Sequence, residues 1–127
     1  MSIPVIRVET CAVLFLLTLL SGVWLSHFGK PLNTAIFTLH KLIALATVVV
    51  IAVSVYNLYR IADIHAILVP AVVVATGLLF LALFVTGALL SLEKPASEAI
   101  LRVHQVAPLL ALGSSSAAIY LLLNGRP

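Results

Sequence analysis

The sequence predicts an all-α integral membrane protein, an up-down-up-down bundle of four helices built from two repeated helical hairpins. Of its 127 residues, 63% are hydrophobic and 9% are charged, and the mean hydropathy is +1.26. A helix needs about 20 apolar residues to cross the hydrocarbon, and four such stretches fill the chain, at residues 8–28, 33–59, 65–92 and 97–123. A single transmembrane domain over residues 1–127 is therefore expected.

The first apolar stretch is expected to be a retained helix and not a cleaved signal peptide, because it is long and resembles the third stretch. Residues 15–32 read FLLTLLSGVWLSHFGKPL, and residues 80–97 read FLALFVTGALLSLEKPAS. Both contain Phe-Leu, then Ser or Thr before Gly, then Leu-Ser and Lys-Pro. This repeat predicts two hairpins of parallel topology, related by a pseudo-two-fold axis near the membrane normal. Chance similarity between leucine-rich helices is the alternative.

Two histidines, His40 and His104, lie at matching depth in the second and fourth stretches, 64 positions apart. An ionisable side chain is costly in hydrocarbon, so two placed alike indicate one shared ligand. In a four-helix bundle the second and fourth helices face each other across the core. We therefore expect one haem iron bound by both imidazoles. Cys11 is the lone cysteine and no Cys-x-x-Cys-His stretch occurs, so this haem is expected to be non-covalent.

Small residues are expected to leave room for the porphyrin. Gly22 and Gly87 come five or six residues before the ends of the first and third predicted helices, nearly level with the histidines. A bulky side chain there would collide with the ring, although small residues serve helix packing just as often. One and two turns along the histidine helices, the expected lining residues are Ala44, Thr47, Ala107 and Ala111.

Positively charged residues near the histidines are expected either to neutralise the two haem propionates or to extend to the lipid headgroups. Four cations lie at that end of the helices: Lys30, Lys41, Lys94 and Arg102. The opposite end has Arg7, Arg60 and Arg126. The counts nearly cancel, so the positive-inside bias only weakly favours termini in the cytoplasm and a haem towards the outer face.

The paired histidines, with a glycine on each intervening helix, resemble those of four-helix membrane-bound b-type cytochromes, which include cytochrome b subunits of respiratory hydrogenases and formate dehydrogenases. The resemblance lies in His40 within TLHKLIAL, His104 within RVHQVAPLL, and Gly22 and Gly87. Family members commonly bind two haems through four histidines, whereas this chain offers one pair at depth.

That resemblance implies a multi-pass protein of the prokaryotic cytoplasmic membrane, in contact with lipid, that transfers single electrons through one haem b. Bis-histidine ligation favours electron transfer over oxygen binding. A quinone, a redox partner protein, a larger membrane complex or a second copy of the chain is the implied partner. The protein would then act as an electron carrier or as a subunit of an oxidoreductase.

Two other functions fit the composition. A haem-free transporter of the four-helix multidrug type would use Glu9 as its coupling carboxylate, and a structural subunit of a membrane assembly would need no cofactor. Glu9 lies beside Arg7 at a helix end, which favours pairing at the membrane surface over a buried proton site. His27 and His65 are expected to be solvated at the interface. Nothing in the composition indicates a nucleic-acid partner.

Overall fold

Four long α-helices make up the chain in the computed structural model, which describes residues 3–29, 31–92 and 97–124, with side chains from residue 8. The helices are α1 (Ile3–Phe28), α2 (Thr34–Ile61), α3 (Leu68–Leu90) and α4 (Glu98–Asn124). No strand occurs within those described ranges. Each helix is long and apolar enough to cross a membrane. The predicted all-α class with four membrane-spanning helices is confirmed, and the exposed apolar side chains are suited to contact with lipid.

The chain divides into two compact units that each contain a helical hairpin. Unit 1, Met1–Asn57, contains α1 and most of α2, and unit 2, Leu58–Pro127, contains the end of α2 followed by α3 and α4. The division therefore falls close to the point where the sequence repeat predicts the second hairpin to begin.

Residues at the helix ends account for the positions of the α1–α2 loop and the α3–α4 loop. α1 ends at Phe28, and the next residue, Gly29, has a φ of +65°, the left-handed conformation that glycine adopts without strain. α2 begins after Asn33, whose Oδ1 accepts a hydrogen bond from the Ile36 N–H at 3.1 Å. α4 begins after Ser97, whose Oγ accepts from the Ile100 N–H at 3.2 Å. These two caps are 64 positions apart, so the repeat extends to the start of each histidine helix.

Two helix starts differ from the sequence prediction by more than one residue: α1 begins at Ile3 and not at residue 8, and α3 begins at Leu68 and not at residue 65. His65 lies in the preceding loop, where its Nε2 is 2.9 Å from Asp63 Oδ1 and both side chains are largely exposed. This segment makes a local contact between two side chains in place of a first helical turn. Pro70 lies in the first turn of α3, where a missing N–H leaves no helical hydrogen bond unmade.

In unit 1, side-chain contacts join α1 to α2 as an antiparallel pair. Cys11 Sγ lies 3.8 Å from Ser54 Oγ, and Thr18 Oγ1 lies 3.0 Å from Thr47 Oγ1. Residue numbers rise along α1 as they fall along α2, which defines the antiparallel direction. The three hydroxyl groups also lie within 2.8 Å of carbonyl oxygens one turn earlier on their own helices. Polar atoms inside the hairpin thus find partners without water.

In unit 2, α3 packs against α4, again in antiparallel fashion. The hydroxyls of Thr76 and Ser114 are hydrogen bonded, and Thr86 contacts His104 nearer the other end. Small and apolar side chains fill the buried face of α4: Ala107, Ala111, Ala118, Ile119 and Leu122. Among the described residues, the buried hydroxyl of Ser115 makes no hydrogen bond.

Single cysteines in the loops should report four crossings. In a Cys11→Ser background, Pro31→Cys and Leu92→Cys should react with a membrane-impermeant maleimide from one side, and Ala66→Cys from the other. The unmodified chain is the control, because Cys11 is only 5% exposed and should stay unlabelled in the folded protein. Labelling of Ala66→Cys and Pro31→Cys from the same side would contradict this topology.

Candidate functional site

In unit 1, a histidine on α2 lies against a hydroxyl and a glycine on α1. His40 Nδ1 is 2.8 Å from Ser21 Oγ. A Cβ atom added to Gly22 would lie 3.2 Å from Cε1 of the same imidazole. The ring is half-buried and has its Nδ1 edge towards α1. We name Ser21, Gly22 and His40 the unit 1 trio.

In unit 2, the same arrangement recurs on α3 and α4. His104 Nδ1 is 2.8 Å from Thr86 Oγ1, and a Cβ atom added to Gly87 would lie 3.2 Å from His104 Cε1. His104 is half-buried as well. Thr86, Gly87 and His104 form the unit 2 trio. Its members follow those of the unit 1 trio at intervals of 65, 65 and 64 residues, so the sequence repeat encodes the geometry of both.

Glycine in each trio lets the edge of the imidazole approach the helix backbone. A Cβ at 3.2 Å is closer than the ordinary contact range of 3.4–4 Å, so an alanine at Gly22 or Gly87 would require the ring to shift. At Gly77 and Gly113, by contrast, an added Cβ meets nothing within 4 Å. The sequence had suggested that the first two glycines make room for a porphyrin. In the structure, the space at these glycines adjoins the histidine rings themselves.

The hydroxyls of the two trios also contact carbonyl oxygens of their own helices. Ser21 Oγ lies 3.0 Å from the Thr18 carbonyl oxygen, and Thr86 Oγ1 lies 2.7 Å from that of Ala82. Such contacts with the preceding turn are usual for Ser and Thr inside helices. The Ser or Thr before each glycine is part of the sequence repeat, but the sequence alone assigns it no role. The available signal was a hydroxyl residue next to glycine in both copies of the repeat.

The four other predicted lining residues differ in their surroundings. Thr47 is 2% exposed, and its hydroxyl contacts Thr18 on α1. Ala107 and Ala111 are 5% and 0% exposed, whereas Ala44 is half-buried. Thr47 therefore belongs to the contact between α1 and α2. A role for these four residues beside a cofactor stays a prediction.

Lys41 and Arg102, the predicted partners of propionates or headgroups, are exposed and contact residues one turn earlier. Lys41 Nζ lies 4.3 Å from the centre of the Phe37 ring. The Arg102 guanidinium lies 3.6 Å from the Glu98 carboxylate, with both side chains more than two-thirds exposed. A role for either cation beside propionates or headgroups stays a prediction. At the opposite end, Arg60 is exposed in the last turn of α2. The other four cations discussed for the two ends lie outside the residues or side chains described, namely Lys30, Lys94, Arg7 and Arg126.

His27, His65 and Glu9, which the sequence also singles out, lie outside both trios. The His27 ring packs edge-on against Phe28 at a centroid distance of 5.1 Å, and His65 pairs with Asp63 in the loop before α3. Glu9 is exposed where the apolar part of α1 begins. Within residues 3–29, 31–92 and 97–124, no three His, Cys, Asp or Glu side chains come together as a metal site.

Each trio holds its imidazole in the way that is typical of metal-binding histidines. A neutral imidazole binds metals through one ring nitrogen, and a hydrogen bond at the other nitrogen fixes the direction of the ring. His40 and His104 both have that second contact at Nδ1, from a hydroxyl. Each hairpin thus orients one imidazole with Nε2 on the opposite side of the ring.

Comparison with known proteins identifies no relative of this chain. No family model matches it, and no curated protein or solved structure does so. The candidate site is therefore supported by its own geometry and by its recurrence in two units. The resemblance to b-type cytochromes stays a prediction.

Alanine substitutions should separate the glycines of the trios from the other helical glycines. Gly22→Ala and Gly87→Ala should each displace one imidazole and lower the free energy of unfolding by about 1 to 3 kcal/mol, the usual cost of overpacking. Gly77→Ala and Gly113→Ala are matched controls that should be neutral, or stabilising by up to about 1 kcal/mol through helix propensity. Reversible unfolding in mixed micelles measures both effects. A similar cost at all four positions would contradict the tight glycine–imidazole contact.

Proposed function

We propose that this protein is a membrane-bound b-type cytochrome that binds one non-covalent haem through His40 and His104 and transfers single electrons. The main support for this proposal is that the trio occurs twice, once in each hairpin. Each hairpin holds one half-buried imidazole with a hydroxyl 2.8 Å from Nδ1 and a glycine at the Cε1 edge. Placing a histidine inside an apolar helix costs free energy, so two histidines held in the same way favour a shared ligand.

The donor chemistry of the trios fits a haem iron. His40 and His104, one from each hairpin, would hold the iron as two neutral imidazole ligands. Metal-binding histidines almost always donate their second N–H to a neighbouring group, and Ser21 and Thr86 supply that group here. When bound, the haem supplies one-electron redox chemistry, and two histidine ligands favour electron transfer over oxygen binding.

The positions of the histidines along their helices favour electron exchange at one membrane face. Each lies six residues after the first residue of α2 or α4, or about 9 Å along the helix axis at 1.5 Å per residue. About 30 Å of each helix remains on the other side, a distance close to the full hydrocarbon thickness. A single haem at this depth serves a partner on the side where α2 and α4 begin.

The proposed electron partner is a quinone, a redox protein or another subunit at that face. Lys41 follows His40 in the sequence, Arg102 comes two residues before His104, and both are exposed. Their charges suit the propionates of a bound haem or the phosphates of lipid headgroups. By the resemblance that the sequence suggested, the proposed location is the cytoplasmic membrane of a prokaryote.

Removal of either proposed ligand should abolish low-spin haem. His40→Ala and His104→Ala each leave one axial position without its imidazole, so the reduced α band and the low-spin Soret band should be lost. His27→Ala and His65→Ala are controls that should keep the wild-type spectrum. The optical spectra of purified protein, oxidised and reduced, measure this. A wild-type protein without haem bands after expression with ample haem would rule out the proposed function.

Haem reduction should depend on the side from which electrons arrive. In sealed proteoliposomes with uniform orientation, a membrane-impermeant reductant should reduce the haem rapidly from the side bearing the α1–α2 loop. Reduction from the side bearing the α2–α3 loop should be slow, because about 30 Å of helix separates it from the histidines. Stopped-flow absorbance gives both rates. Comparable rates, with orientation verified by labelling of Pro31→Cys, would contradict a single haem near one face.

A further inference from the structure

We infer that Ser21 and Thr86 are positioning residues that hold His40 and His104 as the Nδ1–H tautomer, which leaves the lone pair on Nε2. Each hydroxyl lies between an imidazole nitrogen and a helix carbonyl. The tautomer follows from this geometry and from the lack of water in hydrocarbon. Its use to bind iron rests on the proposed function.

The number of available hydrogens decides the direction of each hydrogen bond. In unit 1, Ser21 Oγ carries one hydrogen and has two neighbours, the Thr18 carbonyl oxygen at 3.0 Å and His40 Nδ1 at 2.8 Å. A carbonyl only accepts. If the hydroxyl donates to it, Nδ1 must donate to Oγ, and both contacts are hydrogen bonds.

The opposite arrangement makes fewer hydrogen bonds. A hydroxyl that donates to Nδ1 has no hydrogen left for the carbonyl, and the imidazole proton then lies on Nε2. Of the two contacts made by the hydroxyl, only one is then a hydrogen bond. Hydrocarbon supplies no water to replace the lost one. The Nδ1–H tautomer is therefore the one that this environment favours.

Unit 2 repeats the arrangement with a different hydroxyl residue. Thr86 Oγ1 lies 2.7 Å from the Ala82 carbonyl oxygen and 2.8 Å from His104 Nδ1. A second carbonyl, that of Leu83, lies 3.2 Å away and also only accepts. The hydroxyl hydrogen thus has two acceptors on its own helix, which strengthens the assignment of Nδ1 as the donor. Serine in one hairpin and threonine in the other meet the same requirement.

The tautomer matters because iron binds the unprotonated nitrogen. A ring already held as Nδ1–H presents Nε2 without a proton transfer. The hydroxyl oxygen that accepts from Nδ1–H also makes Nε2 more basic, as partners of metal-bound histidines generally do. A more basic ligand stabilises ferric over ferrous iron, so loss of the hydroxyl should raise the midpoint potential. A neutral hydroxyl makes Nε2 more basic without placing a charge inside the protein.

The tautomer can be measured without haem. In the full chain purified from haem-depleted cells and labelled with 15N-histidine, long-range 1H–15N correlation spectra report which ring nitrogen carries the proton. His40 and His104 should be Nδ1–H in the wild type. Ser21→Ala and Thr86→Val should each lose this preference at their own histidine, and Ser21→Thr and Thr86→Ser should retain it. A wild-type protein with Nε2–H at both histidines would overturn the inference.

The haem-loaded protein supplies a second readout. Ser21→Ala and Thr86→Val should raise the midpoint potential and weaken haem binding by about 10- to 100-fold, the usual effect of removing such a partner. Thr18→Val and Thr76→Val are matched controls, because their hydroxyls contact Thr47 and Ser114 and not a histidine. The controls should keep the wild-type potential.

The two experiments separate failure of this inference from failure of the proposed function. Nδ1–H histidines in a chain that binds no haem would support the positioning role and overturn the proposed function. Bound haem with unchanged potential and affinity in both hydroxyl variants would overturn the positioning role and leave the proposed function intact.

Discussion

Hydrocarbon offers no hydrogen bonds, and this constraint determines where each polar side chain inside the four helices can lie. The hydroxyls of Thr18, Thr47 and Ser54 each contact a carbonyl oxygen of their own helix. A histidine cannot satisfy its ring in this way and needs a partner on another helix. In both hairpins that partner is a hydroxyl on the neighbouring helix, and a glycine beside it allows the ring to approach. The position of the two imidazoles follows from this requirement.

The two hairpins share the trio but not their other polar contacts. By the repeat, the Thr18–Thr47 pair of unit 1 corresponds to Leu83 and Ala111 in unit 2. Replacing both partners of a hydrogen bond by apolar groups can be nearly neutral, so such a packing contact is free to differ between copies. The trio has no apolar equivalent that still presents an imidazole. Its presence in both hairpins therefore favours a role for the histidines beyond packing.

Much of the fold was predictable because its signals are local. Asn33 and Ser97 are helix caps, and the predicted starts of α2 and α4 lay one residue from the observed ones. The start of α3 was missed by three residues, since Ile67 provides no side-chain cap. A polar capping residue thus marks the start of a helix in the sequence, whereas a start without such a residue is harder to locate.

The candidate site was only partly predictable. His40 and His104 are conspicuous in an apolar sequence, as are the repeated glycines. The roles of Ser21 and Thr86 were not visible, because Ser and Thr are common in membrane helices and usually bond to their own backbone. Which hydroxyl faces a histidine depends on how the two helices of a hairpin cross. Sequence spacing alone does not contain that information.

Near-infrared magnetic circular dichroism of the oxidised, purified protein is the most direct test of ligation by His40 and His104, because it identifies the pair of protein ligands of a low-spin haem. We expect one haem per chain with the signature of two imidazoles, lost in both His40→Ala and His104→Ala. A haem with any other ligand pair, or a wild-type protein that binds no haem when haem is supplied, would contradict this expectation.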